Sequence, residues 1–164
     1  MIEAPIYDLE QLKIYPAVAL LLGWNPQAVL GAKFDRNELS ITLERSMIRE
    51  ACALLKTDSH SKFELLCDIT CVDWYPAEPR FEVVYHLLSI SQKKRLRLKA
   101  KLPGDDPSLE SVMDVHPGAN FYEREIFDLF GVRFLGHPNL IRLMMPEAWK
   151  GHPLRKDYPV EGYR

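Results

Sequence analysis

The chain has few cysteines, no long apolar run and no excess of basic charge, and each lack excludes a class of function. Its longest stretch free of charged and strongly polar residues runs only from Pro16 to Trp24, whereas a membrane-spanning helix needs about 20 such residues. The opening residues Met1-Ile2-Glu3-Ala4-Pro5 carry none of the basic side chains that begin a secretory signal. The cytosol is therefore the expected compartment, and the three cysteines, Cys52, Cys67 and Cys71, are expected to be free thiols. With 21 basic and 23 acidic residues the formal charge is −2, so no global field recruits nucleic acid. Neither Gly-x-Gly-x-x-Gly nor a Walker sequence occurs, which argues against binding of NAD, flavin or nucleotide by this chain alone.

What is present suits one globular domain. The 164 residues, 47% hydrophobic and 27% charged, can bury a real core. Leu9 to Leu22 has helical spacing and ends at Gly23-Trp24-Asn25-Pro26. Val29 to Phe34 and Glu38 to Leu43 flank Asp35-Arg36-Asn37 and read as a hairpin. Ser46 is placed to cap a helix with Met47, Ile48, Ala51, Leu54 and Leu55 on one stripe. Phe63 to Trp74 reads as a long central strand and Phe81 to Ile90 as another. From Arg95 to Leu102 basic and apolar residues alternate strictly, the period of a half-buried strand. Its charged face is expected to protect a sheet edge.

After Pro103-Gly104-Asp105-Asp106-Pro107, a short helical piece is expected over Ser108 to Met113. A stronger helix begins near Asn120, where Asn120 and Glu123 have capping-box spacing and Gly131 stands at the C-terminal cap. The order helix, two strands, helix, three strands predicts an α+β fold. Residues 1–133 are expected to form that domain. Residues 134–164, with four prolines and three glycines, form an extended C-terminal tail. It is too apolar for a free linker, so it must lie across the domain or a partner.

Several clusters invite chemistry. Cys67 and Cys71 resemble a metal pair, but on a strand they would stand about 13 Å apart on one face and cannot share an ion. Gly136-His137-Pro138 recurs as Gly151-His152-Pro153, with Arg142, Arg155 and Asp157 nearby. A stand-alone metal hydrolase built on His137, His152 and Asp157 is one rival reading. A nucleic-acid module built on Lys93 to Lys101 is another, although no aromatic residue interleaves those charges. In Glu123-Arg124-Glu125-Ile126-Phe127-Asp128 the two glutamates point to different helix faces, while Arg124 and Asp128 are spaced for an ion pair.

Those residues also carry a resemblance. Glu123-Arg124-Glu125-Ile126-Phe127-Asp128-Leu129-Phe130-Gly131-Val132, then Gly136-His137-Pro138-Asn139-Leu140-Ile141-Arg142, then Gly151-His152-Pro153-Leu154-Arg155-Lys156-Asp157-Tyr158-Pro159 resemble the C-type subunit of respiratory complex I. This is the thirty-kilodalton subunit family of NADH:quinone oxidoreductase, and the likeness runs from about Phe63 to Tyr163. It implies an α+β fold with a mixed sheet, and a structural, non-catalytic subunit of the peripheral arm that binds no cofactor. NADH, FMN, iron–sulfur clusters and quinone are then expected on other subunits. The implied partners are the large quinone-site (D-type) subunit and the cluster-bearing subunits. Nucleic acid is not among them, and contact with the cytoplasmic side of the cell inner membrane is indirect. The implied interface residues are Glu123, Arg124, Glu125, Asp128, His137, Arg142, His152, Arg155, Lys156 and Asp157. Related scaffolds serve membrane-bound hydrogenases and other donor-linked quinone reductases, so the electron donor stays open. Because the chain ends soon after the last motif, the separate subunit is expected rather than a fused form.

Overall fold

The computed structural model describes residues 4–161; the last three residues of the expected tail, 162–164, lie outside them. The fold is α+β. Its elements are α1 (Leu9–Leu12), α2 (Pro16–Trp24), β1 (Val29–Asp35), β2 (Glu38–Leu43), α3 (Ile48–Thr57), β3 (Leu65–Asp73), β4 (Phe81–Ser89), β5 (Lys94–Leu102), β6 (Ser108–Glu110), α4 (Ala119–Phe130) and β7 (Arg133–Leu135). Five strands form one mixed sheet in the order β1-β2-β5-β4-β3, and β6 and β7 form a small parallel pair. Only β2 and β5 run parallel in the larger sheet.

The alternation of β5 holds, but its place differs from the edge position expected. It lies at the centre, between β2 and β4, while β3 is an edge. Leu96, Leu98, Ala100 and Leu102 enter the core with Ile41, Leu43 and Tyr85. Arg97 and Lys99 stay on the other face, where Glu38 and Glu82 neutralise them at 2.6 and 2.8 Å. A basic strand can be central because the helices cover one face and its cross-strand neighbours supply carboxylates.

Local chemistry revises other boundaries. Leu9 to Leu22 forms two helices, since Asp8 caps α1 and Pro16 opens α2. Glu44, not Ser46, caps the turn leading into α3, and α3 buries Ile48, Ala51, Cys52 and Leu55. The helix expected after Pro107 is instead strand β6, paired with β7. The β1–β2 turn is the two residues Arg36-Asn37, both at positive φ, the hairpin geometry that matches strand twist. A bulge between Leu66 and Asp68 turns Cys67 to solvent while Cys71 is buried. The two sulfurs therefore do not share a face as expected. Burial pushes the Cys52 and Cys71 thiols up to about 12, where they are inert.

Candidate functional site

The last helix and the segment after it form one bonded unit. An α-helix leaves its final carbonyls without partners, and α4 has no basic residue of its own in its last turn. The tail supplies the donors. Beside the helix's own closing bond from Gly131 N–H to Phe127 O at 2.9 Å, Leu154 N–H bonds Leu129 O at 3.0 Å. His152 Nδ1 meets Asp128 O at 2.9 Å, and Arg155 Nε donates to Phe130 O at 2.6 Å. Because a carbonyl can only accept, His152 carries its proton on Nδ1. Burial lowers the His152 pKa, favouring the neutral ring. Gly131 is required twice over. It adopts φ +76, and a Cβ there would stand 2.6 Å from both Arg155 Nη2 and the His152 ring.

Asp128 is the hub. Its side chain is fully buried, and Oδ2 accepts the N–H groups of Leu143, Met144 and Met145 at 3.0, 2.7 and 2.8 Å. Oδ1 accepts Arg142 Nη1 at 2.6 Å, and Arg142 also donates to Gly151 O at 3.1 Å. Burial disfavours the Asp128 charge. The backbone donors and Arg142 outweigh it and hold the carboxyl below the usual range. Arg124 does not pair with Asp128 as its spacing suggested. Its guanidinium reaches Ile141 O and Arg142 O at 3.2 Å, because Arg142 already occupies the carboxylate.

A second knot fixes the end of the tail. Arg80 bonds Asp73 through Nε and Nη2 at 2.9 and 2.8 Å, and Asp157 through Nη1 and Nη2 at 3.0 and 2.6 Å. Asp73 also accepts the Lys156 N–H at 2.9 Å. Burial opposes ionisation of Asp73, yet Arg80 and two backbone N–H groups hold its pKa at about 2. Arg155 lies over the Phe81 ring, 5.3 Å from its centroid. Sequence reading missed Arg80, which lies 77 residues from Asp157, and nothing in the local pattern joins them.

Glu123 belongs to another layer. It is not a helix cap, since α4 starts at Ala119 with no side-chain cap. It points inward and accepts Ser111 Oγ at 2.6 Å and Val112 N–H at 2.8 Å. Burial pushes its pKa up to about 7. Glu125 is exposed, and His137 Nδ1 accepts the Asn139 N–H at 3.1 Å. Of the residues nominated for metal chemistry, His152 is held by a carbonyl and Asp157 by Arg80. Among the described residues no three histidine, cysteine or acidic side chains are grouped to hold an ion.

The structure thus gathers Arg124, Asp128, Arg142, His152, Arg155, Lys156 and Asp157 around the α4–tail junction. Glu123, Glu125 and His137 lie apart from that network. Above it, apolar side chains face solvent: Ile141 is 51%, Met144 61% and Leu154 50% exposed. No helix among the described residues is long and apolar enough to cross a membrane.

A model of the family described as respiratory-chain NADH dehydrogenase, 30 Kd subunit, matches residues 41–164. The chain is 46% identical over 138 residues to the NADH-quinone oxidoreductase C-type subunit of Ruegeria sp. (strain TM1040), covering 84% of this chain and 68% of that one. It is 40% identical over 151 residues to the same subunit of Rhodobacter capsulatus, covering 92% and 75%. Among solved structures, a trypsin-resistant fragment of Nqo5 matches with a TM-score of 0.54 and 34% identity, over 63% of this chain and 83% of that one. A chain of the membrane-bound sulfane sulfur reductase, an archaeal respiratory membrane complex, matches with a TM-score of 0.70 and 30% identity, over 92% and 86%.

Proposed function

Because the chain belongs to the 30 Kd subunit family of the respiratory-chain NADH dehydrogenase, complex I, we propose that it is a structural subunit of the peripheral arm of a proton-translocating NADH:quinone oxidoreductase. In this reading it binds none of the redox groups. NADH, FMN, iron–sulfur clusters and quinone reside on neighbouring subunits. The chain sits on the cytoplasmic side of the inner membrane through its partners, the large quinone-site subunit and the cluster-bearing subunits.

The observation that carries this reading is the construction of the tail. A segment without its own core is pinned by ion pairs anchored on the buried Arg80 and Asp128, while Ile141, Met144 and Leu154 remain exposed. Soluble monomers tend to cover contiguous apolar surface. A rigidly held strip with apolar side chains facing outward suits a protein partner, because little ordering entropy is lost on docking. The proposed interface is residues 134–164 with the outer face of α4, including Glu125, His137 and the Lys156 side chain. Of the remaining candidates, Arg124, Asp128, Arg142, His152, Arg155 and Asp157 shape it from below, while Glu123 holds Ser111 and Val112 in a separate layer. The mechanism is geometric: redox groups on adjoining subunits keep fixed separations because this sheet and strap do not deform.

Arg155→Ala tests the proposal. It removes the Phe130 carbonyl bond and the contact over Phe81, and it should reduce the assembled complex on a native gel in proportion to lost NADH:quinone activity. Full assembly with lost turnover would contradict a structural role. The match to the sulfane sulfur reductase chain favours a second reading, a scaffold in a membrane-bound hydrogenase or another donor-linked complex. The subunits that co-purify with the chain discriminate the two.

A further inference from the structure

A cavity of about 470 Å³ shares no lining residue with the α4–tail junction. It is bounded by the start of α2, the β1–β2 turn, residues 60–63 and the turn leading into β5. Its wall is apolar, built from Tyr15, Phe34, Leu39 and Phe63, with the Tyr15 and Phe34 rings stacked at 4.8 Å between centroids. Its rim is cationic, carrying Arg36, Lys93, Lys94 and Arg95. Among the described residues none of these four is in an ion pair. The one carboxylate lining the cavity, Glu38, is held by Arg97 at 2.6 Å. The rim is therefore net positive in a protein whose formal charge is −2.

Ser61 also lines the cavity, at 3% exposure. It is turned to Asp58: its N–H bonds that carboxylate at 2.7 Å, and its hydroxyl adds to the stabilisation of the charge, against the opposing effect of burial. The first turn of α2, residues Pro16 and Ala17, also lines the cavity, and the helix has no side-chain cap. Backbone conformation concentrates here as well. Among the described residues, the four non-glycine residues at positive φ, Arg36, Asn37, Lys62 and Lys93, lie on the three turns that frame the opening. Left-handed backbone is unfavourable for long side chains, and two of these positions carry rim cations.

We propose that this cavity binds a phosphate monoester attached to an apolar or planar body. The anion would lie between the basic rim and the α2 terminus, and the body against Tyr15, Phe34 and Phe63. Four cations without ion-pair partners beside a helix start fit phosphate better than a neutral ligand. The volume admits one such molecule and not an extended polymer.

The test is a titration of the full ¹⁵N-labelled chain, followed by amide shifts. Three probes separate the sources: adenosine 5′-monophosphate, dihexanoyl phosphatidic acid and inorganic phosphate. One of the two organic phosphates should saturate the amide shifts of Ala17, Ser61 and Lys94, with affinity at least about tenfold above inorganic phosphate. Lys94→Glu and Arg95→Glu should each weaken it by about five- to tenfold. Lys101→Glu, on the same strand but away from the cavity, should leave binding unchanged. Shifts that stay linear, affinity equal to that for inorganic phosphate, or equal weakening by Lys101→Glu would overturn the proposal.

Discussion

Replacing Asp128 by Asn isolates the hub of the strap with almost no change of volume. The native carboxylate accepts three backbone N–H groups on Oδ2 and one guanidinium N–H on Oδ1. An amide keeps only one accepting oxygen. If that oxygen serves the three N–H groups, the amide NH2 faces Arg142, two donors opposed. If it turns to Arg142, three backbone donors lose their partner. The first arrangement is cheaper. Breaking a buried charged pair costs about 3–5 kcal/mol, and Arg142 recovers part of this because it is about one-fifth exposed and keeps Gly151 O. We expect a net loss of about 2–4 kcal/mol. Since 1.4 kcal/mol is tenfold, hydrogen exchange at Leu143, Met144 and Met145 should accelerate by roughly 30- to 700-fold. Amides of β4 and β5 should change far less, because the sheet core does not depend on the strap. The assay is native-state exchange on the full chain. Unchanged protection at Leu143 to Met145 would refute the claim that Asp128 organises that turn.

Two other substitutions probe the site from different sides. Glu123 titrates at about 7 in the folded chain against an ordinary value of 4.5, so the native state prefers its protonated form. Stability from this group is present below the ordinary value and is lost as pH rises through 7. Glu123→Gln should therefore be near neutral at pH 4.5 and more stable than the parent by about 2–3 kcal/mol at pH 8 in urea unfolding. Parallel pH profiles would show that the buried carboxyl is not strained. Gly131→Ala adds a Cβ 2.6 Å from Arg155 Nη2 at φ +76 and should cost at least about 2 kcal/mol, with faster proteolysis at Lys150 and Lys156. Parental stability and cleavage rates would refute the close packing of the strap on α4.

The residues that could be read in advance were those whose neighbours are local. The alternation from Arg95 to Leu102, the hairpin around Arg36-Asn37 and the cap at Gly131 each follow from periodicity or backbone chemistry within one turn. Strand order did not. Whether β5 is central depends on β2 accepting it in parallel 57 residues away, and charged alternation alone is equally consistent with an edge. The site divided in the same way. Arg142, His152 and Arg155 were visible as polar residues in a motif, but their work, capping the carbonyls of α4, depends on where the tail crosses the helix. Arg80 and Asp73 pair with each other across seven residues, but their role in the strap was invisible because their tail partners, Asp157 and Lys156, are distant in sequence. The Arg124–Asp128 pair failed since a buried carboxylate favours the partner that also brings backbone donors.

The central claim is that this chain joins a respiratory complex through the strap, and one measurement addresses it directly. The tagged full chain, and a variant carrying Ile141→Glu and Met144→Glu, are purified from gently solubilised membranes, with partners identified and NADH:quinone reductase activity assayed. Both substitutions fall on exposed side chains, so the fold should survive. The account predicts that the parent brings down the large quinone-site subunit, the cluster-bearing subunits and activity, and that the folded variant brings down none of them. A parent that purifies alone, or a variant that retains the whole assembly, would contradict it.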